Sequence, residues 1–139
     1  MAQAMTEEAL TAFLAEAFPQ VADDFRIEAL RPEGPVVRLV VAERHLRPGG
    51  TVSGPTMFAL ADVAIYLAVL ARIGPVALAV TTSCAIDFMR RPASGTDLIA
   101  EARLLKLGRV LAVGDVLVRS EGQDAPVARA SLTYSIPPR

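Results

Sequence analysis

The sequence contains few of the residues on which several common functions depend. Among its 139 residues, Cys84 is the one cysteine and His45 the one histidine. A lone cysteine cannot form a disulfide within the chain, so a reducing compartment is the simpler expectation. Cys84 lies in the middle of a strand-like apolar segment, where we expect an inert thiol that packs as a small hydrophobic residue.

Net charge is almost absent as well. Fourteen basic and fifteen acidic residues give a formal net charge of -1. Such a chain lacks the basic surface that binds a phosphate backbone, so we expect no nucleic-acid partner. Charged residues make up 21% of the chain and apolar residues 53%, which excludes a disordered segment and predicts a single domain over 1–139.

The first residues also lack the basic segment of a secretory signal, and carry Glu7, Glu8 and Glu16 there instead. We therefore expect a cytoplasmic location. Thr6 followed by two acids is typical of a helix start, and apolar residues then recur at helical spacing as far as the first proline. The pattern predicts a short N-terminal helix over about 6–18.

A long apolar segment, TMFALADVAIYLAVLAR, follows a loop rich in glycine and proline. Its apolar residues cover every side rather than one stripe, which predicts a helix over about 55–72 that is buried all round. A membrane span is the alternative. Asp62 lies inside the segment, however, and Arg72 and Gly74 end it short of the ~20 residues needed to cross the hydrocarbon. We therefore expect no membrane association.

Six strand-like segments accompany this helix, two before it and four after it. The first two, over about 25–31 and 36–43, are separated by turn-forming residues and predict a hairpin. Apolar and polar residues alternate in the other four. The predicted inward residues are Cys84, Ile86 and Phe88, then Leu98, Ala100, Ala102 and Leu104, then Val110, Ala112, Val116 and Val118, and finally Ala128, Ala130, Leu132, Tyr134 and Ile136. The pattern predicts an α+β fold, in which one antiparallel six-stranded sheet wraps around the long apolar helix.

Asp62 is the residue that does not fit this scheme, because it is the one charged residue between Met57 and Ala71. Burying a carboxylate without partners is costly. Asp62 therefore has a structural partner, such as an arginine or a solvent-filled groove, or it acts as a catalytic base or nucleophile. The pattern leaves both explanations open.

The start of the apolar helix is a second candidate site. Gly54 lies at this start, with Ser53 or Thr56 as a possible cap, and the free backbone N–H groups there suit an oxyanion. Eight residues separate Gly54 from Asp62, or ~12 Å along a helix axis. One carbonyl cannot reach both groups within a chain, so a site that uses both needs a second copy with its helix antiparallel. We therefore expect a homo-oligomer, either a dimer or a tetramer made of two dimers.

From about His45 to Ile136 the sequence resembles the hotdog-fold acyl-CoA thioesterases of the phenylacetate-degradation (PaaI-like) type. The segment GTVSGPTMFALADVA is similar to the family pattern G-x-x-H-G-G-x-x-x-x-L-x-D, and the segment that begins TTSCAIDFMRRPASG is similar to the strands that follow. The resemblance implies a hotdog fold that hydrolyses an acyl-CoA thioester to free acid and coenzyme A. It implies no metal and no redox cofactor, since coenzyme A enters as part of the substrate.

The resemblance also implies roles for individual residues. Asp62 takes the position of the catalytic carboxylate, which acts as a general base on water or as a nucleophile. Gly54 takes the position of the oxyanion donor through its backbone N–H. Thr81 matches a hydroxyl that in some members helps to orient the attacking water.

Three positions depart from the family pattern. Ser53 stands where the family has histidine, Pro55 replaces the second glycine, and Arg47 stands where many members have asparagine. The loss of the histidine removes a group that polarises or positions the thioester, but the helix-end amide and the carboxylate are kept. His45 does not occupy the family position, and we expect it to be a surface or loop-packing residue.

Four basic residues, Arg90, Arg91, Lys106 and Arg109, lie where such proteins often contact the phosphates of coenzyme A. We assign Arg47 to substrate binding with them. Two other functions stay open. One is a non-catalytic hotdog module that binds acyl-CoA or regulates, and the other is a hotdog dehydratase or hydratase, for which His45 is the available acid or base.

Overall fold

The structure, a computed structural model, describes residues 3–138. These residues form three helices and six strands: two helices and two strands come first, followed by the longest helix and four more strands. A 3-10 turn, Glu43–His45, precedes the longest helix. The helices are α1 (Glu7–Ala17), α2 (Pro19–Ala22) and α3 (Gly54–Ile73). The strands are β1 (Phe25–Arg31), β2 (Gly34–Leu39), β3 (Val80–Phe88), β4 (Leu98–Leu107), β5 (Leu111–Ser120) and β6 (Pro126–Ser135).

The six strands form one antiparallel sheet in the order β1-β2-β4-β5-β6-β3. Helix α3 packs against five of these strands, and its residues from Met57 to Ala71 are buried except Phe58, Ala59 and Asp62. The predicted architecture is therefore confirmed. Helix α3 lies on one face of a six-stranded antiparallel sheet, and the short helix α1 packs at its side.

Helix α3 is apolar on all its sides because most of its residues are buried. The expectation that this helix ends short of the length of a membrane span is wrong, because α3 has 20 residues and is long and apolar enough to cross a membrane by length and composition alone. However, 67% of its most apolar window is buried inside the protein. The sheet thus covers the surface that lipid would otherwise have to cover.

Gly114 of β5 sets how closely α3 approaches the sheet. A Cβ atom at this position would lie 2.6 Å from Cδ1 of Ile65 on α3 and 2.8 Å from the carbonyl oxygen of Arg103. The missing side chain lets the helix lie directly on the strand. Asp62 is three residues before Ile65, so this contact also helps to fix the height of the carboxylate above the sheet.

The predicted inward residues follow the observed burial with two exceptions. All five of β6 or its extension, from Ala128 to Ile136, are at most 5% exposed. Val110 is exposed because it lies in the turn between β4 and β5, where no strand face exists. Phe88 is 52% exposed, since it ends an edge strand and its ring covers the start of α3 rather than the core.

The helix and strand ends differ from the prediction by a few residues. Thr6 caps α1 by accepting the N–H of Ala9, and Pro19 then starts the single turn of α2 instead of simply ending the helix. Strand β2 ends at Leu39, before the predicted end near 43, because the N–H groups of the next residues bond elsewhere. The Val41 N–H donates to a carboxylate oxygen of Asp97 at 2.9 Å.

Asp97 belongs to an ion-pair cluster around Arg38, far along the sheet from β3. The Arg38 guanidinium contacts Asp97 at 2.8 Å and also binds Glu28 and Glu121. These hydrogen bonds raise the pKa of Arg38, and the hydrogen bond to Glu121 raises it the most. Burial of Asp97 opposes its ionisation, but the Val41 N–H and Arg38 outweigh that effect and hold the pKa of Asp97 below its ordinary value.

Candidate active site

Asp62 is bound by two hydroxyl groups rather than by an arginine. Its Oδ1 atom accepts a hydrogen bond from the Tyr134 hydroxyl at 2.8 Å and another from the Thr81 hydroxyl. No group within residues 3–138 donates to Oδ2. The half-buried carboxylate is thus held through one oxygen, and its other oxygen is available to water or to a ligand.

Thr81 faces Asp62 because β3 is irregular at this point. The pairing of β3 with β6 shifts register between Thr81 and Ser83, which makes Thr82 the extra residue of a β-bulge. Thr81 and Cys84 are both half-buried, whereas Thr82 and Ser83 are both exposed. Strict alternation would have turned Thr81 away from the helix.

The buried phenol of Tyr134 stays protonated in this environment. Burial, followed by the negative charge of Asp62, raises the pKa of Tyr134 well above its ordinary value. The hydroxyl can therefore act as a donor to Asp62 at every pH at which the protein would normally be studied.

Cys84 lies near the same carboxylate. Its thiol is half-buried, and burial, followed by the charge of Asp62, raises its pKa. A thiol with a raised pKa carries little thiolate at neutral pH. This fits the predicted inert thiol, although Cys84 lies at the border of the core rather than inside it.

The start of α3 is capped by a short network. Ser53 is the N-cap, and its hydroxyl accepts the Thr56 N–H at 3.3 Å and contacts the Thr56 hydroxyl at 2.9 Å. Both residues also bind the carbonyl oxygen of His45. The Gly54 N–H donates to no protein group between residues 3 and 138, so this donor is available at the helix end.

A cavity of about 360 Å³ opens at this helix end. The cavity is lined by Gly54, the predicted oxyanion donor, and by three of the five predicted coenzyme A ligands. The lining residues that matter here are Arg47, Gly54, Met57, Phe88, Arg90 and Arg91. The ring of Phe88 forms one wall, because its Cζ atom would lie 3.3 Å from a Cβ placed on Gly54.

Lys106 and Arg109 do not line this cavity. Lys106 lies near the end of β4 and Arg109 lies in the turn that follows, and the sheet register brings this turn to the opposite end of β3. Val80 pairs with Ser135, which in turn pairs with Leu111 beside that turn. The structure therefore separates the predicted coenzyme A ligands of one chain into two groups.

Asp62 and Gly54 are separated in the same way. Gly54 lies against Phe88 at one end of β3, and Asp62 binds Thr81 near the other end. Along α3 the two residues are eight positions apart, or ~12 Å. Strand β3 is an edge of the sheet, and no strand within residues 3–138 pairs with its outer side.

His45 is a loop-packing residue. It is 5% exposed, its Nδ1 atom accepts the Ala42 N–H at 2.9 Å, and its Nε2 atom lies 3.3 Å from a carboxylate oxygen of Asp24. The ring therefore serves the loop before α3 and makes no contact with Asp62. This arrangement gives no support to a dehydratase that uses His45 as its acid or base.

Tyr134 is the residue that the sequence pattern did not single out. The alternation in β6 predicts it only as a core residue. A usable signal was present, because a hydroxyl-bearing ring stands in a row of alanine, leucine and isoleucine that faces a helix with a buried acid. Between residues 3 and 138, no three histidine, cysteine, aspartate or glutamate side chains lie close enough to hold a metal ion.

Solved structures similar to this one include several thioesterases. A protein from Silicibacter sp. TM1040 that is assigned as a thioesterase is 60% identical, with 99% of this chain and 96% of that chain covered and a TM-score of 0.93. A variant of the phenylacetic acid degradation protein PaaI from Thermus thermophilus is 33% identical, with coverages of 86% and 99% and a TM-score of 0.72. A protein from Streptococcus pneumoniae TIGR4 that is assigned as a thioesterase, and whose structure contains coenzyme A, shares the fold at 24% identity, with coverages of 82% and 89% and a TM-score of 0.70.

A curated relative from Archaeoglobus fulgidus, assigned as an esterase, is 35% identical over 85 residues. The match covers 61% of this chain and 53% of that protein, so the chain spans about half the length of this relative. The family model of the thioesterase superfamily matches residues 49–127, which include the start of α3, Asp62 and strands β3, β4 and β5. The predicted resemblance to PaaI-type hotdog proteins is confirmed, and the chain belongs to the thioesterase superfamily.

Proposed function

We propose that this protein hydrolyses an acyl-CoA thioester to a free acid and coenzyme A. Asp62 acts as a general base and takes a proton from water as the water oxygen attacks the thioester carbonyl. The carbonyl oxygen becomes an oxyanion that the Gly54 N–H stabilises. The oxyanion then re-forms the carbonyl as the carbon–sulfur bond breaks, Asp62 passes the proton taken from water to the departing sulfur, and coenzyme A leaves as the thiol beside the free acid.

The observation that carries this proposal is the one-sided binding of Asp62. A carboxylate whose Oδ1 is fixed by two hydroxyls and whose Oδ2 is unoccupied by protein groups is oriented and still able to accept a proton. The structural aspartate Asp97, by contrast, uses both of its carboxylate oxygens on protein donors, one on Arg38 and one on the Val41 N–H. Membership of the thioesterase superfamily supplies the class of substrate.

The reaction needs two copies of the chain. Asp62 and Gly54 lie at opposite ends of β3, so neither can reach a carbonyl held by the other in the same chain. If the unpaired edges of two β3 strands pair antiparallel, the Thr81 end of one strand lies beside the Phe88 end of the next. This dimer brings Asp62 of one chain to Gly54 of the other chain, and its two-fold symmetry creates two such sites.

The same dimer reunites the basic residues proposed to hold the phosphates of coenzyme A. Arg47, Arg90 and Arg91 lie with Gly54, and Lys106 and Arg109 lie at the Thr81 end of β3. Antiparallel edges would put the two groups around one cavity. The coenzyme A in the Streptococcus pneumoniae structure agrees with such a ligand, although that protein shares only the fold with this one.

The departures from the family pattern leave this chemistry possible. Ser53 replaces the family histidine and caps α3, which keeps the Gly54 N–H directed outwards at the helix end. Pro55 removes one N–H that a helix does not use in its first turn. The activity therefore depends on one backbone donor and one carboxylate, and we expect a slower enzyme than one that keeps the histidine.

Asp62→Asn tests the proposal with a panel of short, long and aromatic acyl-CoA esters and detection of the released thiol. The amide oxygen can still accept from Thr81 and Tyr134, so the fold should be kept while kcat falls about 100-fold to 10,000-fold. Asp115→Asn is the matched control, because Asp115 lies on the outer sheet face and pairs with Arg103 at 2.9 Å. Equal turnover by Asp62→Asn and the parent would overturn the proposal.

A non-catalytic acyl-CoA-binding module is the second candidate, and the replacement of the family histidine by Ser53 favours it. It predicts tight binding of acyl-CoA esters by the parent protein without release of thiol. The same panel separates the two functions, since calorimetric titration reports binding and the thiol assay reports turnover.

A further inference from the structure

The Tyr134 hydroxyl takes part in no bond-making or proton-transfer step of the proposed reaction, although it contacts the carboxylate that does. We propose that Tyr134 is a positioning residue that fixes Asp62 in the orientation in which Oδ2 receives the proton from water. This inference rests on the proposed function. It adds a residue that neither the helix pattern nor the family motif identifies.

Tyr134 binds Asp62 at two points. Its hydroxyl lies 2.8 Å from Oδ1 of the side chain and 3.1 Å from the main-chain oxygen of the same residue. A group that contacts both the main chain and the side chain restricts the rotation of the carboxylate about its own bonds. The Tyr134 hydroxyl thus fixes the orientation of the Asp62 carboxylate relative to the main chain of α3.

The ring that carries this hydroxyl is itself held rigidly. Tyr134 is 3% exposed, and its ring packs 6.2 Å from the ring of Tyr66. Because Tyr134 has two side-chain torsions and both are packed, it orders Asp62 at a small cost in conformational entropy.

The sheet register brings the second hydroxyl to the same oxygen. Thr81 of β3 and Tyr134 of β6 are directly opposite partners across the two strands, next to the bulge. Opposite side chains on one face lie close enough to share an acceptor. Both donors therefore converge on Oδ1, and the charge-assisted bonds they form are the strong kind.

Tyr134→Phe against Tyr66→Phe is a matched test of this role. Tyr66 is also a buried tyrosine, at 7% exposure, and its hydroxyl donates to the carbonyl oxygen of Ala77 at 3.0 Å without touching Asp62. Each variant loses one buried hydroxyl and the one proton that it donates, so we expect similar falls in melting temperature. For the acyl-CoA ester that the parent turns over best, Tyr134→Phe should lower kcat about tenfold with KM unchanged, and Tyr66→Phe should leave kcat within about twofold.

The double variant Asp62→Asn with Tyr134→Phe tests whether Tyr134 acts through Asp62. Once the carboxylate is gone there is no base to orient, so adding Tyr134→Phe should change the residual kcat by less than about twofold. Equal losses of kcat in Tyr134→Phe and Tyr66→Phe, or additive losses in the double variant, would overturn the inference. If Tyr134→Phe turns over like the parent while Asp62→Asn is inactive, the inference about Tyr134 is wrong and the proposed function stands. If Asp62→Asn is active, the proposed function itself is wrong.

Discussion

The Thr81 hydroxyl donates to Oδ1 of Asp62 from a position immediately before a β-bulge. Thr82 is the extra residue in the bulge, and its insertion turns Thr81 and Cys84 to the same face of the strand. A regular strand would present Thr81 to solvent and leave Asp62 with one donor. The bulge is therefore part of the site, and the two neighbouring threonines offer a direct test of that conclusion.

Thr81→Val should lower kcat about tenfold, because one of the two hydrogen bonds to Oδ1 is lost while the shape of the side chain is kept. Thr82→Val is the control in the same bulge, since the Thr82 side chain is exposed and its hydroxyl donates to the carbonyl oxygen of Thr133. Steady-state rates with one acyl-CoA ester measure both effects. Similar losses in the two variants would show that the bulge matters only for the fold of β3.

Subunit complementation tests the two-chain site. Asp62→Asn removes the base, and Gly54→Val puts a side chain where the Phe88 ring lies, so each homodimer should be inactive. A heterodimer of the two variants has one site with both defects and one site with neither. Co-expression with two different affinity tags and sequential purification should therefore recover about half of the parent activity per dimer.

The contrary result is equally clear. If Asp62 and Gly54 acted within one chain, no chain in the heterodimer would hold both groups, and activity would stay at the level of the separate variants. Analytical ultracentrifugation of the same samples establishes that the mixed dimer has formed.

The arginine cluster at the helix end should recognise the phosphates of coenzyme A rather than the acyl group. Arg47→Ala and Arg91→Ala should each raise KM for an acyl-CoA about fivefold at low salt, and less as salt screens the charges. KM for the same acyl group on N-acetylcysteamine, which has no phosphates, should not change. Arg129→Ala is the control, because Arg129 pairs with Asp87 on the outer sheet face. An equal rise in KM for both thioesters would contradict phosphate binding.

The Asp97 cluster predicts a dependence of stability on pH. The folded state holds the pKa of Asp97 below its ordinary value, so its contribution is present in full above that ordinary value, near 3.9, and is lost as pH falls through the lower folded value. Asp97→Asn should therefore reduce the free energy of unfolding by about 1 to 2 kcal/mol at pH 7. Urea denaturation at pH 7, 5 and 3 should show an equal difference between the parent and the variant at pH 7 and 5 that begins to narrow at pH 3. A difference that stays constant across this range would assign the effect to packing.

Much of the fold is predictable from the sequence because burial leaves a periodic pattern. An apolar helix with no polar side must be enclosed, and the strict alternation from Ala128 to Ile136 marks the face that encloses it. Pairing partners and strand ends are not recorded in that pattern. Strand β2 ends at Leu39 because Asp97, more than 50 residues away, takes the N–H of Val41.

The site is predictable only where it breaks the pattern. Asp62 is conspicuous because a charge stands in an apolar helix, whereas Tyr134 fits its strand and so looks like ordinary core. Thr81 came from the family resemblance, because a bulge alters the phase of a strand without changing its composition. The division of the basic residues between the two ends of β3 follows from the sheet order, and periodicity does not encode that order.

Helix α3 packs against the sheet to form the core, and it also contains Gly54 and Asp62, the two residues that the proposed reaction needs. With Gly114 allowing no gap between helix and strand, a small shift of α3 caused by an altered core side chain would move Asp62 relative to the partner's helix end. We therefore expect substitutions along the buried side of α3 to reduce turnover before they reduce the melting temperature. New substrate preferences should instead arise at the rim, where Met89 is exposed and lines the cavity.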